Sequence, residues 1–298
     1  MRYSRSFTLA TMSILLASAA SSAQQRIDRR YAASPAASLR LTVLTQQSTI
    51  RVIGWDRDSV AITGMLAPGD RFDGGFTSTG SGGKFYVERR LEAPGAAGPK
   101  LEVRLPAGAR LWVKASTADV DVSGVTGGLD LNIVGGLIRV SGRPRELSAE
   151  AMDGDIEVAE RVTWLRAKTA GGAITIRGGG DDVGLTSVSG RVRVLGGAFT
   201  RARVETVTGD IEFEGEVERQ GSLTFDSHSG AVVLRVPPAL AATFEVTTIS
   251  GEITNELTTA RPAFASERRA RELGITTGGG GAVITVRTFK GPVALRRR

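Results

Sequence analysis

The sequence predicts an all-β protein: a single-stranded parallel β-solenoid built from coils of about 18–21 residues, with capping strands at both ends. Three observations carry this. A phrase recurs, as "LNIVGGLIRVSG" from Leu131, "AEAMDGDIEVAE" from Ala149, "AKTAGGAITIRG" from Ala167, "LTSVSGRVRVLG" from Leu185 and "VETVTGDIEFEG" from Val204. Within each phrase the apolar residues alternate with period two, which is the strand period. The composition, with 38 Gly and only 5% aromatics, suits many short strands and tight turns better than helices with large side chains.

The opening apolar residue of each phrase falls at Val113, Leu131, Ala149, Ala167, Leu185, Val204, Phe225 and Val246. A step that holds at 18 residues and then lengthens to 19 and 21 is the period of a stacked repeat. Leu129, Leu131 and Ile133 face one way, and Ile138 and Val140 do so after a turn, so one coil reads as two strands. The sixth position holds Gly136, Gly154, Gly172, Gly190, Gly209, Gly230 and Gly251, with Ala118 the exception. Gly reaches positive φ without a Cβ clash, so these glycines are expected to turn the chain at the same corner of every coil. No helix is expected after them, which argues against phosphate cradles. The outward row Asp121, Arg139, Glu157, Thr175, Arg193, Glu212 places opposite charges on neighbouring coils, with Arg191 beside Asp210 in the next row. Such pairs would fix the register.

The elements before and after the regular coils read less evenly. "MRYSRSFTLATMSILLASAASSA" has the basic start, short apolar run and small-residue end of a secretory signal peptide over residues 1–23. With no Cys in the chain, a lipoprotein anchor and disulfides are not expected, and no transmembrane span is expected once the signal is removed. Residues 24–38 read as an N-terminal linker. Residues 39–112 read as N-terminal capping strands with a Gly/Pro-rich surface excursion from Met65 to Pro99, containing one strand near Phe85 to Glu88. Regular coils occupy 113–257, and an Arg-rich insertion with a last coil fills 258–298. In "RPAFASERRARELG" two readings stand, a short helix capped by Ser266 and ended by Gly274, or a mobile basic loop.

"STIRVIGWDRDSVAITG", "LEVRLPAGARLWVKAS", the "VSGxVxV"-type coils and the closing "GGGAVITVRTFKGPVAL" together resemble the bacterial putative-adhesin, domain-of-unknown-function β-solenoid family. The likeness runs from about Leu39 to Leu295. It implies an exported, right-handed, β-helix-like solenoid that brings no catalytic residues. The longer last coils and the Arg-rich insertion depart from the pattern.

Few residues stand out against the repeat. The net charge of +7 falls to +5 when Arg2 and Arg5 leave with the signal, and reads as ordinary solubility charge rather than a nucleic-acid surface. His228, the one His, sits at a coil corner and reads as structural; with no Cys, neither a metal site nor a cofactor is expected. "GGGDDV" at Gly178 occurs once, whereas calcium-binding repeats need successive copies. "GSGGKF" at Gly80 lacks the spacing and hydroxyl of a phosphate loop. The outward acids Asp119, Asp155 and Asp210 belong to a regular row, so no catalytic pair is expected and the protein reads as non-enzymatic. Trp164 is the departure: it points outward between Glu146 and Asp182, and these three are the candidate surface-binding residues. Trp55 and Trp112 read as structural. The function expected is adhesion or binding of an envelope polysaccharide or protein, in the periplasm or at the cell surface. A polysaccharide-active β-helix enzyme and a periplasmic partner or sensor of an envelope regulator are the alternatives.

Overall fold

Every regular element of the computed structural model, which describes residues 25–89, 97–265 and 270–298, is a β-strand. The expected signal peptide at 1–23 and the Ser266 cap lie outside the described residues. The strands are β1 (Gln25–Ala32), β2 (Ser38–Val43), β3 (Ser48–Trp55), β4 (Ser59–Leu66), β5 (Asp70–Phe76), β6 (Gly82–Arg89) and β7 (Lys100–Pro106). The middle of the chain forms β8 (Arg110–Ser123), β9 (Gly128–Ser141), β10 (Glu146–Ala151), β11 (Asp155–Val158), β12 (Val162–Thr169), β13 (Ile174–Ile176), β14 (Gly180–Ser187), β15 (Val192–Thr206) and β16 (Ile211–Ser227). The rest is β17 (Val232–Val236), β18 (Ala242–Thr248), β19 (Ile253–Asn255), β20 (Ala263–Ala265), β21 (Ala270–Thr277), β22 (Ala282–Thr288) and β23 (Val293–Arg297).

Period-two alternation becomes two parallel ladders facing one core. On the first ladder Leu39, Leu111, Leu129, Leu147, Leu165, Val183, Ala202, Leu223, Ile284 and Phe244 are successive register partners. On the second, Val52, Val122, Val140, Val158, Ile176, Val194, Phe213, Leu234 and Leu295 follow one another. All are buried, and like meets like because the 18-residue step returns the same face to the same place. Phe199, Phe213 and Phe225 meet within this core at centroid distances of 5.8 and 5.3 Å, tilted and edge to face.

The charged row keeps the expected register, with Arg139 opposite both Asp121 and Glu157. It is Glu157 that Arg139 holds, at 3.2 Å, and Arg191 holds Asp210 at 3.5 Å. Arg193 does not pair with Glu212, which is taken by Arg235. Exposed pairs of this kind are worth only ~0.2–1 kcal/mol each.

The stacking order is not the sequence order at either end. The last coil, β22 with β23, lies between the coil of β16–β17 and the coil of β18–β19. β21 covers the outer edge of β18 antiparallel, so β22 must take the inner edge; Gly278, Gly279, Gly280 and Gly281, all at positive φ, carry the chain across. At the other end, β2 and β3 lie between β6–β7 and β8.

The excursion from Met65 to Pro99 is therefore not merely a surface loop, because β6 joins the first ladder and β5 caps it antiparallel. A buried ion pair joins these strands: Arg89 meets Asp70 at 2.6 Å, and Asp70 also accepts the Ala67 amide. Residues 25–32, expected as linker, form β1, which buries Ile27 and pairs antiparallel with β4. Gly274 does not end a helix; it lies inside β21. Antiparallel strands at the stack ends cover edges that parallel coils leave open.

The glycine column does not serve the positive-φ corner expected of it. Of the seven, only Gly136 has positive φ, at 103°. The others are glycine because each packs against the backbone of its predecessor: a Cβ on Gly172, Gly190, Gly209 or Gly230 would overlap the carbonyl oxygen of the column's previous glycine. Gly291 stands between Gly230 and Gly251 in this column, as the stacking order requires. Hydroxyls brace the same corner, with Thr206 Oγ1 donating to the Gly209 carbonyl at 2.7 Å, Ser227 to Gly230 at 3.0 Å and Thr288 to Gly291 at 2.7 Å.

Candidate functional site

The outward face of the first ladder carries the candidate residues. Outward side chains form rows across the strands. One row runs Glu146, Trp164, Asp182, Arg201; the next runs Lys84, Arg40, Trp112, Asp130, Ser148, Arg166. Trp164 is 39% exposed, and the Arg166 guanidinium lies 4.5 Å from its ring centroid. With Glu146 it lines a groove of about 290 Å³, whose other walls are Arg110, Trp112, Asp130 and Ser148 around Gly128. Gly128 leaves the floor bare there, and Arg110 reaches Glu146 at 3.8 Å.

Asp182 has a different setting. It borders a second hollow, of about 380 Å³, beside Gly184, and it is held by Arg166 at 2.7 Å and Arg201 at 3.2 Å. Partial burial works against its charge, but the hydrogen bonds and charges of Arg166 and Arg201 prevail and lower its pKa from the ordinary value. A depressed folded pKa supplies stability above the unfolded pKa of about 3.9 and loses it as pH falls through the folded value. Asp182→Asn is therefore expected to melt below the wild type at neutral pH. Thermal denaturation on an acid series should show the two converge as the wild-type carboxylate protonates.

Sequence reasoning missed Trp112. It is only half-buried, stands on the same face as Trp164, and holds the guanidiniums of Arg40 and Arg110 at 5.3 and 5.8 Å. Counting 18 forward from Trp112 reaches Asp130, Ser148 and Arg166, a column next to that of Trp164, and that count was the available signal. Trp55 is structural: its indole N–H donates to the Ser59 carbonyl at 2.8 Å. His228 stacks on Phe289 at 5.0 Å, in an outer corner column with Val188, Val207 and Ile249. "GGGDDV" is a polar turn and strand start, Asp181 pairing with Arg161. "GSGGKF" is the β5–β6 turn and the start of β6.

These features define an all-β fold of parallel strand ladders with one open, aromatic and charged sheet face. Residues 162–296 match the family described as Toastrack DUF4097, a domain of unknown function, so the resemblance read from the sequence holds over that segment. Solved structures align along much of the chain at low identity. A putative adhesin from Bacteroides fragilis NCTC 9343 shares 10% identity over 93% of this chain and 99% of its own, with a TM-score of 0.41. One from Parabacteroides distasonis ATCC 8503 shares 10% over 91% and 97%, at 0.38. A putative cell adhesion protein from Clostridium sporogenes ATCC 15579 shares 6% over 93% and 100%, at 0.22. No curated protein matches the chain. The fold assignment rests on the strand pairing itself.

Proposed function

We propose that the protein is a non-catalytic, exported, right-handed β-solenoid that binds an envelope polysaccharide through the outward face of its first ladder. The observation that carries this reading is the groove between Trp112 and Trp164, two aromatic side chains on one flat face with Glu146 and Asp130 between them. Aromatic rings present apolar area to the C–H faces of sugars, while flanking carboxylates accept hydroxyl hydrogen bonds. A rigid ladder holds both rings without further ordering cost, which favours binding.

The non-catalytic part is supported by what the outward acids do. Asp155 accepts the Ala173 amide at 2.7 Å and Asp210 the Ala231 amide at 3.0 Å, so each serves the coil above it. Export rests on the leader-like residues 1–23. Co-sedimentation of the mature protein with cell-wall polysaccharide across a salt series tests the reading. Saturable binding that persists at high salt and falls about tenfold in Trp164→Ala is expected, the loss of one stacking platform being worth ~1–1.5 kcal/mol. Binding that disappears with salt would reduce it to unspecific charge attraction.

A further inference from the structure

The N-terminal end of the same face holds a larger cavity, outside the segment matched by the family. It measures about 550 Å³, within the ~300–1,000 Å³ of small-ligand sites. Tyr86 and Trp112 give it aromatic walls, and Gly74, Gly75, Gly82 and Gly83 give it a bare backbone floor, while the Phe76 ring turns to the core side against Tyr31. Among the described residues its charged lining is Arg40 and Lys84 alone.

Those two cations are direct register partners on β2 and β6. Like charges opposite one another in a sheet are destabilising. Elsewhere on this face Arg110 is matched by Glu146, Arg166 by Asp182, Lys168 by Glu150 and Arg203 by Asp226, and the unmatched Lys114 and Arg287 stand opposite no like charge. Among the described residues no carboxylate lies within ion-pair distance of Arg40 or Lys84. Trp112 holds the Arg40 guanidinium at 5.3 Å, and the strand partner of Lys84 on its other side is Gly75, which has no side chain to cover it. The pair is thus positioned, unneutralised and accessible.

We infer that this cavity binds a carboxylated sugar unit, its carboxylate bridging Arg40 and Lys84 and its ring set against Tyr86 and Trp112. A glycan rather than a small free anion fits because Trp112 lines both this cavity and the Trp164 groove, so a chain seated here continues along the face. The inference rests on the polysaccharide-binding reading and specifies its ligand class.

The test is calorimetric titration with an oligogalacturonate and with its methyl ester, on the wild type, Gly75→Trp and the Arg40→Gln/Lys84→Gln double variant. A Cβ at Gly75 meets nothing within 4 Å and its φ is ordinary, so Gly75→Trp fills the cavity without disturbing the backbone. The acid should bind at least about tenfold tighter than the ester, as charge-assisted pairing requires, and both variants should lose that preference. Equal affinity for acid and ester, no binding of the acid, or wild-type affinity in Gly75→Trp overturns the inference. Cell-wall sedimentation of the same variants separates the two ideas. If Gly75→Trp still sediments while Trp164→Ala does not, the adhesive face stands and the cavity falls. If the wild type does not sediment at all, the function itself falls.

Discussion

Ending the chain after Gly281 is expected to unravel the C-terminal third of the fold, not to trim its tip. Stacking in sequence order would make β22 and β23 a dispensable last coil. Instead they lie inside the stack, paired on one side with β16 and β17 and on the other with β18 and β19. Their removal takes Ile284, Val286, Val293 and Leu295 out of the core, all essentially fully buried. At ~1.5–3 kcal/mol for each such side chain, the loss rivals the whole ~5–15 kcal/mol stability of a typical domain. It also bares two facing ladder edges and detaches β18–β21, which reach the rest of the fold through β22 and β23. Amide exchange should then show fast exchange from Leu223 onward while the coils around Leu131 and Leu147 stay protected. A truncated protein whose protection at Phe244 and Val246 matches the wild type would overturn this stacking order.

Most of the central stack was legible because one physical rule repeats there. A parallel coil must return the same face to the same register, so Leu129, Leu147 and Leu165 announce both period and core. The ends were less legible, since alternation fixes which face a strand presents and not which neighbour it joins. Val246 follows Phe225 in the sequence pattern, yet Val286 lies between them. The Arg-rich "ARELG" failed differently: good helix formers lie in β21 because pairing with β18 outweighs propensity. The candidate site was half legible. Trp164 broke the repeat and could be seen. The cavity could not, because it needs β6 beside β2, a pairing between residues 44 apart that no local pattern encodes.

Gly190→Ala is expected to destabilise the protein more than its single added methyl suggests. The reason lies in the neighbouring coil, not in φ, which is ordinary at this position. A Cβ on Gly190 would sit on the Gly172 carbonyl oxygen, and that backbone cannot retreat. Ladder pairs hold it on both sides, Thr169 with Ser187 and Ile174 with Val192. Beneath it the Gly172 amide is held by Thr169 Oγ1 at 3.1 Å. Overpacking costs ~1–3 kcal/mol where side chains can yield; here the obstacle is backbone, so the cost should reach at least the top of that range. Gly274→Ala is the matched control, because a Cβ there meets nothing within 4 Å and its φ is also ordinary. Gly274→Ala should melt as the wild type or slightly above it, since replacing Gly lowers the entropy of the unfolded chain. Urea denaturation of both variants decides the matter. Equal midpoints would mean that the glycine column serves the corner's conformation after all, whereas a large loss confined to Gly190→Ala would establish that coils touch there backbone to backbone. That contact sets how closely the coils stack, and hence the spacing at which Trp112, Trp164 and Arg40 are presented along the binding face.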